Sequence, residues 1–358
     1  MPTFIIAEAG VNHNGDLDLA RQLIDVAADA GANAVKFQTF VAERVVSRHA
    51  PKAEYQTRTT DEAESQLEMI RKLELSEADH EALIAHAQAR DIVFLSTPFD
   101  APSLHLLTKR FGLQMIKIPS GEITNPLFLL AIARAAQRVI VSTGMSTLAE
   151  VENALGVLAF GFTAPATAAP QRGDFEQSYA SEAGQQALRD RVTLLHCTTE
   201  YPAPFGEVNL LAMDTMATAF RLPVGYSDHT TGIHVSLAAV ARGAQVIEKH
   251  FTLDRDLPGP DHKASLEPDE LRKLVQQVRE IEAALGDGIK RPTASEWKNR
   301  EVARRSLVAA KTIQAGEMFT VDNLACKRPG TGVSPFAYWQ TLGQTAIRNY
   351  NSDEELDV

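Results

Sequence analysis

Two histidines, His229 and His250, stand at the ends of successive short apolar runs, in Tyr226-Ser227-Asp228-His229-Thr230 and Val246-Ile247-Glu248-Lys249-His250-Phe251. The alanine-rich segment between them, Val235 to Gly243, has the composition of a crossover helix with a glycine stop. Strand, helix and strand in that order would bring both imidazoles to the same end of neighbouring parallel strands. Neutral imidazole is a common ligand for divalent metals, and two of them leave coordination positions open for water or substrate. The pair also fits two hydrogen-bonded histidines at strand ends, and the residue types alone leave both readings open.

Four charged residues share that setting: Glu8, Lys36, Lys117 and Glu248 each sit within or at the end of a short apolar run. Strand alternation puts Ile6 with Glu8, Lys36 with Gln38, Leu95 with Thr97, and Glu248 with His250 on shared faces. Any one of the charges could belong to a structural ion pair. Four at one end of four strands, beside a histidine pair, point to a reaction site, because ionised groups among apolar side chains are costly unless paired or used. Lys117-Ile118-Pro119-Ser120-Gly121-Glu122 adds a lysine, a hydroxyl and a carboxylate in one turn, although Pro, Ser and Gly are also ordinary turn formers.

The elements that must position these groups follow a repeating pattern. Phe4 to Ala9 and Ala34 to Gln38 read as strands, separated by a helix that opens at Asn14-Gly15-Asp16 and runs through Ala30. Ile92 to Thr97, Met115 to Ile118, Val139 to Ser142, Val192 to Cys197, Pro223 to Ser227 and Gln245 to His250 bring the strand candidates to eight. Helix-like segments alternate with them, which is the pattern of a closed (β/α)8 TIM barrel. No glycine-rich dinucleotide fingerprint or phosphate-binding P-loop follows any strand, which removes the usual open-sheet readings. In such a barrel the chemistry sits where strands end and the following loops begin.

The loop from Thr39 to about Asp61 is long enough to serve as a lid. The stretch from Gly161 to about Ser181, rich in Ala, Pro, Gly and Gln, reads as an irregular, functionally silent insertion on the opposite face. Leu271, Leu274, Val275, Val278, Ile281 and Leu285 form the apolar stripe of the eighth helix, which Gly286 ends. The expected organisation is a catalytic barrel over 1–286, a polar linker over 287–299 and a small module over 300–358 that opens with the strand Ser306 to Ala310. A module of that size needs neighbours to stabilise it.

With 358 residues, 44% of them hydrophobic, the chain can bury a large core. A net charge of −11 argues against a nucleic-acid surface, and an anionic substrate would need local lysines and arginines to attract it. The two cysteines, Cys197 and Cys326, suggest reduced thiols rather than a disulfide scaffold. No apolar run is long enough to span a bilayer, and the N-terminal residues lack a signal-peptide pattern, so a cytoplasmic location without membrane contact is expected.

Seven ordered motifs resemble those of the bacterial sialic acid synthases: Ala7 to Gly15, Lys36-Phe37-Gln38-Thr39, Ser96-Thr97-Pro98-Phe99, Lys117 to Glu122, Ser142-Thr143-Gly144-Met145, Ser227-Asp228-His229-Thr230 and Pro258-Gly259-Pro260-Asp261. The resemblance covers essentially the whole chain, including a C-terminal module similar to the antifreeze-like SAF domain. It implies condensation of phosphoenolpyruvate with N-acetylmannosamine or a related 2-acetamido sugar, giving an N-acetylneuraminate-type acid and phosphate. It further implies a divalent metal, Mn²⁺ first with Mg²⁺ or Co²⁺ as alternatives, on His229 and His250. Residues matching those that contact phosphoenolpyruvate are Lys36, Thr97, Lys117, Ser120 and Ser227. Those matching sugar contacts are Gln38, Tyr201, Asp261 and Arg328, and the carboxylates matching catalytic ones are Glu8 and Glu122. The resemblance also implies a domain-swapped homodimer in which Arg328 reaches the partner's barrel.

Thr199, in His196-Cys197-Thr198-Thr199-Glu200-Tyr201, stands where many neuraminate enzymes carry Asn, and this wording is more similar to the legionaminate synthase branch, which uses 2,4-diacetamido-2,4,6-trideoxymannose. In the implied mechanism C3 of phosphoenolpyruvate attacks the sugar aldehyde, and water adds at C2. Phosphate then leaves by C–O cleavage, with Glu122 moving the proton and Glu8 stabilising the cationic centre. Two rival readings are a barrel aldolase with Lys117 or Lys36 as Schiff-base nucleophile, and a non-enzymatic binder acting through the C-terminal module.

Overall fold

The computed structural model describes residues 2–47, 50–52, 57 and 64–357 and divides into two units, Met1–Gly286 and Asp287–Val358. The first unit holds β1 (Phe4–Gly10), β2 (Ala34–Thr39), β3 (Val93–Pro98), β4 (Met115–Ile118), β5 (Arg138–Ser142), β6 (Val192–Cys197), β7 (Val224–Asp228) and β8 (Val246–His250). Their order is β3-β2-β1-β8-β7-β6-β5-β4, with every pairing parallel. The end strands β3 and β4 lie against each other, so the sheet is a nearly closed barrel of the TIM type, as the alternation of elements predicts.

Local sequence explains how its helices form. The Asp16 carboxylate accepts hydrogen bonds from the N–H groups of Asp18 and Leu19, capping the helix Leu17–Asp29. That helix buries Ala20, Leu23, Ile24 and Ala27, whose spacing places them on one stripe against the barrel. Leu23 and Ile24 have no exposed surface, so truncating either to Ala costs about 2–5 kcal/mol. The eighth barrel helix, Pro268–Leu285, buries Leu271, Leu274, Val275 and Val278, while Leu285 at its last position is exposed.

Inside the barrel the strand period of two separates structure from chemistry. Ile6, Ala34, Leu95, Ile140, Leu195 and Val246 form one buried apolar layer. Two residues further along the same strands come Glu8, Lys36, Thr97, Ser142, Cys197 and Glu248. Because the strand period is two, both layers point into the barrel, the apolar one below and the polar one beneath the mouth. At Gly225, on β7, a Cβ would collide with the carbonyl of Val246 and the side chain of Leu195, so only glycine lets β7 sit this close.

Two stretches differ from the sequence expectation. Gly161–Ser181 is not an irregular insertion: the helix Leu148–Thr163 runs through its start, and a further helix, Asp174–Ala180, fills its end. Phe175 packs edge-on against Phe160 at 5.6 Å, and the Phe175 backbone lies where a Cβ on Gly156 would be. The long-range apolar contact, not local composition, makes this segment regular. The expected linker 287–299 likewise contains the start of a helix, Ala294–Ala303, nucleated by a capping box between Thr293 and Glu296. The lid expected from Thr39 to about Asp61 lies in part outside the described residues; its described start includes a short helix, Ala42–Val45.

In the second unit, β9 (Ser306–Ala309) pairs antiparallel with β10 (Leu324–Lys327). Its own small core comprises Leu307, Ala309, Ile313, Phe319, Leu324, Ala346, Tyr350 and Leu356. Among the described residues no helix is long and apolar enough to cross a membrane.

Candidate active site

At the ends of the strands a cavity of about 350 Å³ opens, lined at its floor by Glu8, Lys36, Lys117, Ser227, Glu248 and both histidines. Strand register brings these groups together: Glu8 is level with Lys36 on one side and His250 on the other, and Ser227 is level with Glu248. The Lys36 ammonium lies 2.6 Å from Glu8 and 3.5 Å from Glu248, and Lys117 lies 3.1 Å from Glu248. Lys36 also donates to the Thr97 hydroxyl at 3.0 Å, and the Ser227 hydroxyl donates to Glu248 at 2.9 Å. All four charged residues are buried.

Burial makes the two carboxylates unequal. Loss of solvent raises Glu8 to about 7; Lys36 opposes the rise and Glu248 adds to it. Burial also works against the charge on Glu248, but Lys117, Lys36 and the Ser227 hydroxyl outweigh it and hold that carboxyl well below the usual range. For Lys36, burial pulls down and the two glutamates pull up more strongly. For Lys117, burial wins over the attraction of Glu248, so its ammonium is the more easily deprotonated. One permanent carboxylate, one carboxyl that titrates near neutrality and two anchored lysines thus share one floor.

His229 and His250 face the same cavity with ring centroids 5.8 Å apart. The His229 Nδ1–H donates to the Thr198 carbonyl at 2.6 Å, which fixes the tautomer and leaves Nε2 unprotonated, 3.4 Å from the Ser227 hydroxyl. Burial depresses His229 to about 4, and burial together with the neighbouring His229 depresses His250 well below its ordinary value. Both rings are therefore neutral at pH 7, and the Nδ1 of His250 is buried without a hydrogen-bond partner. This donor chemistry fits a divalent ion held by two imidazoles. Among the described residues no group of three or more His, Cys, Asp and Glu side chains could hold an ion, so water and substrate oxygens would complete its shell.

Asp228 is the support behind His229. One carboxylate oxygen accepts from the Thr230 N–H and hydroxyl at 2.8 and 2.7 Å; the other accepts from Ser236 at 2.6 Å and pairs with Lys249 at 3.1 Å. This buried network fixes the turn that aims the imidazole.

Gln38, Thr97, Ser120, Tyr201 and Asp261 line the same cavity. The Tyr201 ring sits 4.2 Å from that of His229, and burial raises Asp261 to about 6. Ser120 accepts from the Gly144 N–H at 3.0 Å and contacts Cys197 at 3.3 Å. Gly144 is required here, because a Cβ would strike the hydroxyls of Thr199 and Ser120. Glu122 is placed differently from the expectation. The one-turn helix Ser120–Glu122 carries it past the rim, Asn125 donates to its carboxylate at 2.7 Å, and it is not among the residues lining the cavity. Arg328 lies in the second unit, exposed, just beyond β10.

Glu248, one of the four charges that point to a site in the sequence, holds both lysines there and shares a strand face with His250. Cys197, the last residue of β6, and Thr199, in the loop after it, line the cavity. An apolar wall of Val11, Phe40, Met69, Ile70, Leu73 and Phe99 completes it, and no sequence pattern links those residues.

The profile of the NeuB family matches residues 23–290, and that of the SAF domain matches residues 304–355. The N,N'-diacetyllegionaminic acid synthase of Campylobacter jejuni is 54% identical, over 98% of this chain and 98% of its own length. The N,N'-diacetyllegionaminic acid synthase of Legionella pneumophila is 44% identical over 99% of this chain and 94% of its own. The crystal structure of the N-acetylneuraminic acid (sialic acid) synthetase of Leptospira borgpetersenii, in complex with citrate, aligns with a TM-score of 0.67 at 37% identity, covering 84% of this chain and 90% of that one.

Proposed function

The chain belongs to the NeuB family and ends in a SAF domain, and from that premise we propose that it condenses phosphoenolpyruvate with 2,4-diacetamido-2,4,6-trideoxymannose to give N,N'-diacetyllegionaminate and phosphate. The observation that carries the chemistry is the buried Glu8–Lys36–Glu248–Lys117 cluster beside two neutral histidines. The high identity to the Campylobacter jejuni enzyme, along nearly the full chain, supports the choice of sugar over N-acetylmannosamine.

Lys36 and Lys117, with the hydroxyls of Thr97, Ser120 and Ser227, bind the phosphate and carboxylate of phosphoenolpyruvate by charge-assisted hydrogen bonds. Glu248 keeps both ammonium groups in place before substrate arrives. His229 and His250 would hold Mn²⁺, Mg²⁺ or Co²⁺, whose chemistry at such a site is Lewis-acid polarisation of a carbonyl. In the reaction C3 of phosphoenolpyruvate bonds to the aldehyde carbon as the carbonyl π bond opens, a water oxygen bonds to C2, and the C2–O bond to phosphate breaks; of the water's two protons, one ends on the former aldehyde oxygen and the other on the released phosphate. Glu8, titrating near 7, takes the proton of that water and lies where positive charge develops at C2. Gln38, Tyr201 and Asp261 orient the sugar. An aldolase mechanism fits less well, because Lys36 and Lys117 are both engaged by carboxylates instead of standing free as amine nucleophiles.

Partner binding is part of the proposal. The second unit has only a small core and exposes Phe336 and Trp339, which supports its covering by a second copy of the chain, with Arg328 serving the partner's cavity. Mixing His229→Ala with Arg328→Ala subunits should restore activity through heterodimers; heterodimers without gain would place Arg328 outside any site in trans. The reaction itself is tested by incubating the enzyme, Mn²⁺ and phosphoenolpyruvate with each sugar. One phosphate per molecule of nine-carbon acid is expected, faster with the diacetamido sugar; phosphoenolpyruvate left intact with both sugars would refute it.

A further inference from the structure

The cavity lining includes two chemically distinct sets of side chains. The lysines, glutamates and histidines come from β1, β2, β4 and β8 and from the turn after β7. Val11, Phe40, Val45, Met69, Ile70, Leu73 and Phe99 form an apolar wall. Val11, Phe40 and Leu73 form a small buried cluster of their own, separate from the main core, with Ile70 and Phe99 packed on it. The Phe40 and Phe99 rings meet edge to face at 6.2 Å. A capping box at Ser65 and Glu68 starts the helix Gln66–Arg71, which presents Met69 to this wall. None of these side chains offers an N–H or O–H donor.

We infer that this wall is the subsite for the end of the sugar remote from its aldehyde, and that it selects a 6-deoxy, methyl-terminated acceptor over its hydroxymethyl counterpart. The inference rests on the condensation proposed above and identifies the residues that set its specificity. The aldehyde carbon must meet phosphoenolpyruvate at the charged floor, so the other end of the chain extends away from the charges. A methyl group against the wall loses only water it does not need. A hydroxyl there gives up hydrogen bonds to water for surfaces that return none. An apolar pocket rejects an added hydroxyl by roughly 10²-fold.

The test compares kcat/KM for phosphate release with 2,4-diacetamido-2,4,6-trideoxymannose and with 2,4-diacetamido-2,4-dideoxymannose, which differ only at C6. The wild-type enzyme should favour the 6-deoxy sugar by roughly 10²-fold. Met69→Gln, of similar shape, should reduce that ratio about tenfold, mainly by improving the hydroxylated sugar. Val45→Thr, at a half-exposed position that tolerates a hydroxyl without loss of fold, should move the ratio in the same direction. A wall that served packing alone would lower both sugars equally, and an unchanged ratio in folded variants overturns the inference. Equal use of both sugars by the wild type overturns it too, while leaving the condensation intact. Reaction with neither sugar would overturn the condensation and this subsite with it.

Discussion

Glu248→Gln removes one negative charge from between two buried ammonium groups and leaves the shape of the side chain. The carboxylate lies 3.1 Å from Lys117 and 3.5 Å from Lys36. At an effective dielectric of about 20, each contact amounts to about 5 kcal/mol of gross attraction. Much of that offsets the desolvation of the three groups, and breaking a buried pair of this kind costs about 3–5 kcal/mol net. The barrel should therefore unfold on the order of 10 °C lower in the variant. Far-UV circular dichroism is the appropriate probe, because both tryptophans, Trp297 and Trp339, belong to the second unit. The pH dependence gives an internal check. A carboxyl held below its ordinary value stabilises the fold above the unfolded value of 4.5 and loses that contribution as the pH falls, so the two proteins should converge in acid. Glu248→Gln/Lys117→Met should recover part of the loss, since the unpaired ammonium is gone. A single variant within about 1 kcal/mol of wild type at pH 7 would mean that Glu248 does not balance the lysines, and the reasoning about the floor of the site would fail.

Glu8 supplies a second pH signature: kcat/KM should rise with pH through about 7 as the carboxyl loses its proton, and Glu8→Gln should abolish that limb along with most of the activity. Because its folded value is raised from 4.5, Glu8 gives stability that is present below 4.5 and lost as the pH climbs through about 7, so Glu8→Gln should flatten the stability profile there. His229→Ala and His250→Ala should each lose bound Mn²⁺ by elemental analysis and lose activity; His229→Ala should cost only about 1 kcal/mol of stability for its bond to Thr198. Stoichiometric metal with full activity in either variant would return that histidine to a structural role. Replacing residues 164–173 with a short Gly-Ser turn should leave turnover within a few-fold of wild type, whereas Phe175→Ala should cost on the order of 2 kcal/mol by uncovering Phe160. Thermal unfolding and turnover measured side by side separate these two outcomes.

The barrel was legible because each strand carries its own signal: a short apolar run, a polar residue at its end and a helix after it. The floor of the site was legible for the same reason, since the period of two that puts Ile6 inward also puts Glu8 inward, and likewise Val246 and Glu248. What sequence could not supply was contact between distant segments. Phe175 makes its helix regular only by meeting Phe160, and Phe40, Leu73 and Phe99 become one wall only when the loops after β2 and β3 fold together. Glu122 shares a motif with Lys117 and Ser120, yet a single helical turn and the amide of Asn125 take it out of the cavity lining, a geometry that adjacency in sequence cannot distinguish. The helix Ala294–Ala303 is a different case, because Thr293-Ala294-Ser295-Glu296 spells a capping box that could have been read directly.

The reaction proposed for this site joins a sugar aldehyde to C3 of phosphoenolpyruvate and breaks the bond between C2 and the bridging oxygen. Phosphoenolpyruvate labelled with ¹⁸O at that bridge, incubated with the enzyme, Mn²⁺ and 2,4-diacetamido-2,4,6-trideoxymannose, reports on it directly by mass spectrometry of both products. One labelled phosphate is expected for each molecule of acid formed, with no label in the acid. Acid formed with the label retained, or label released without the sugar, would contradict it.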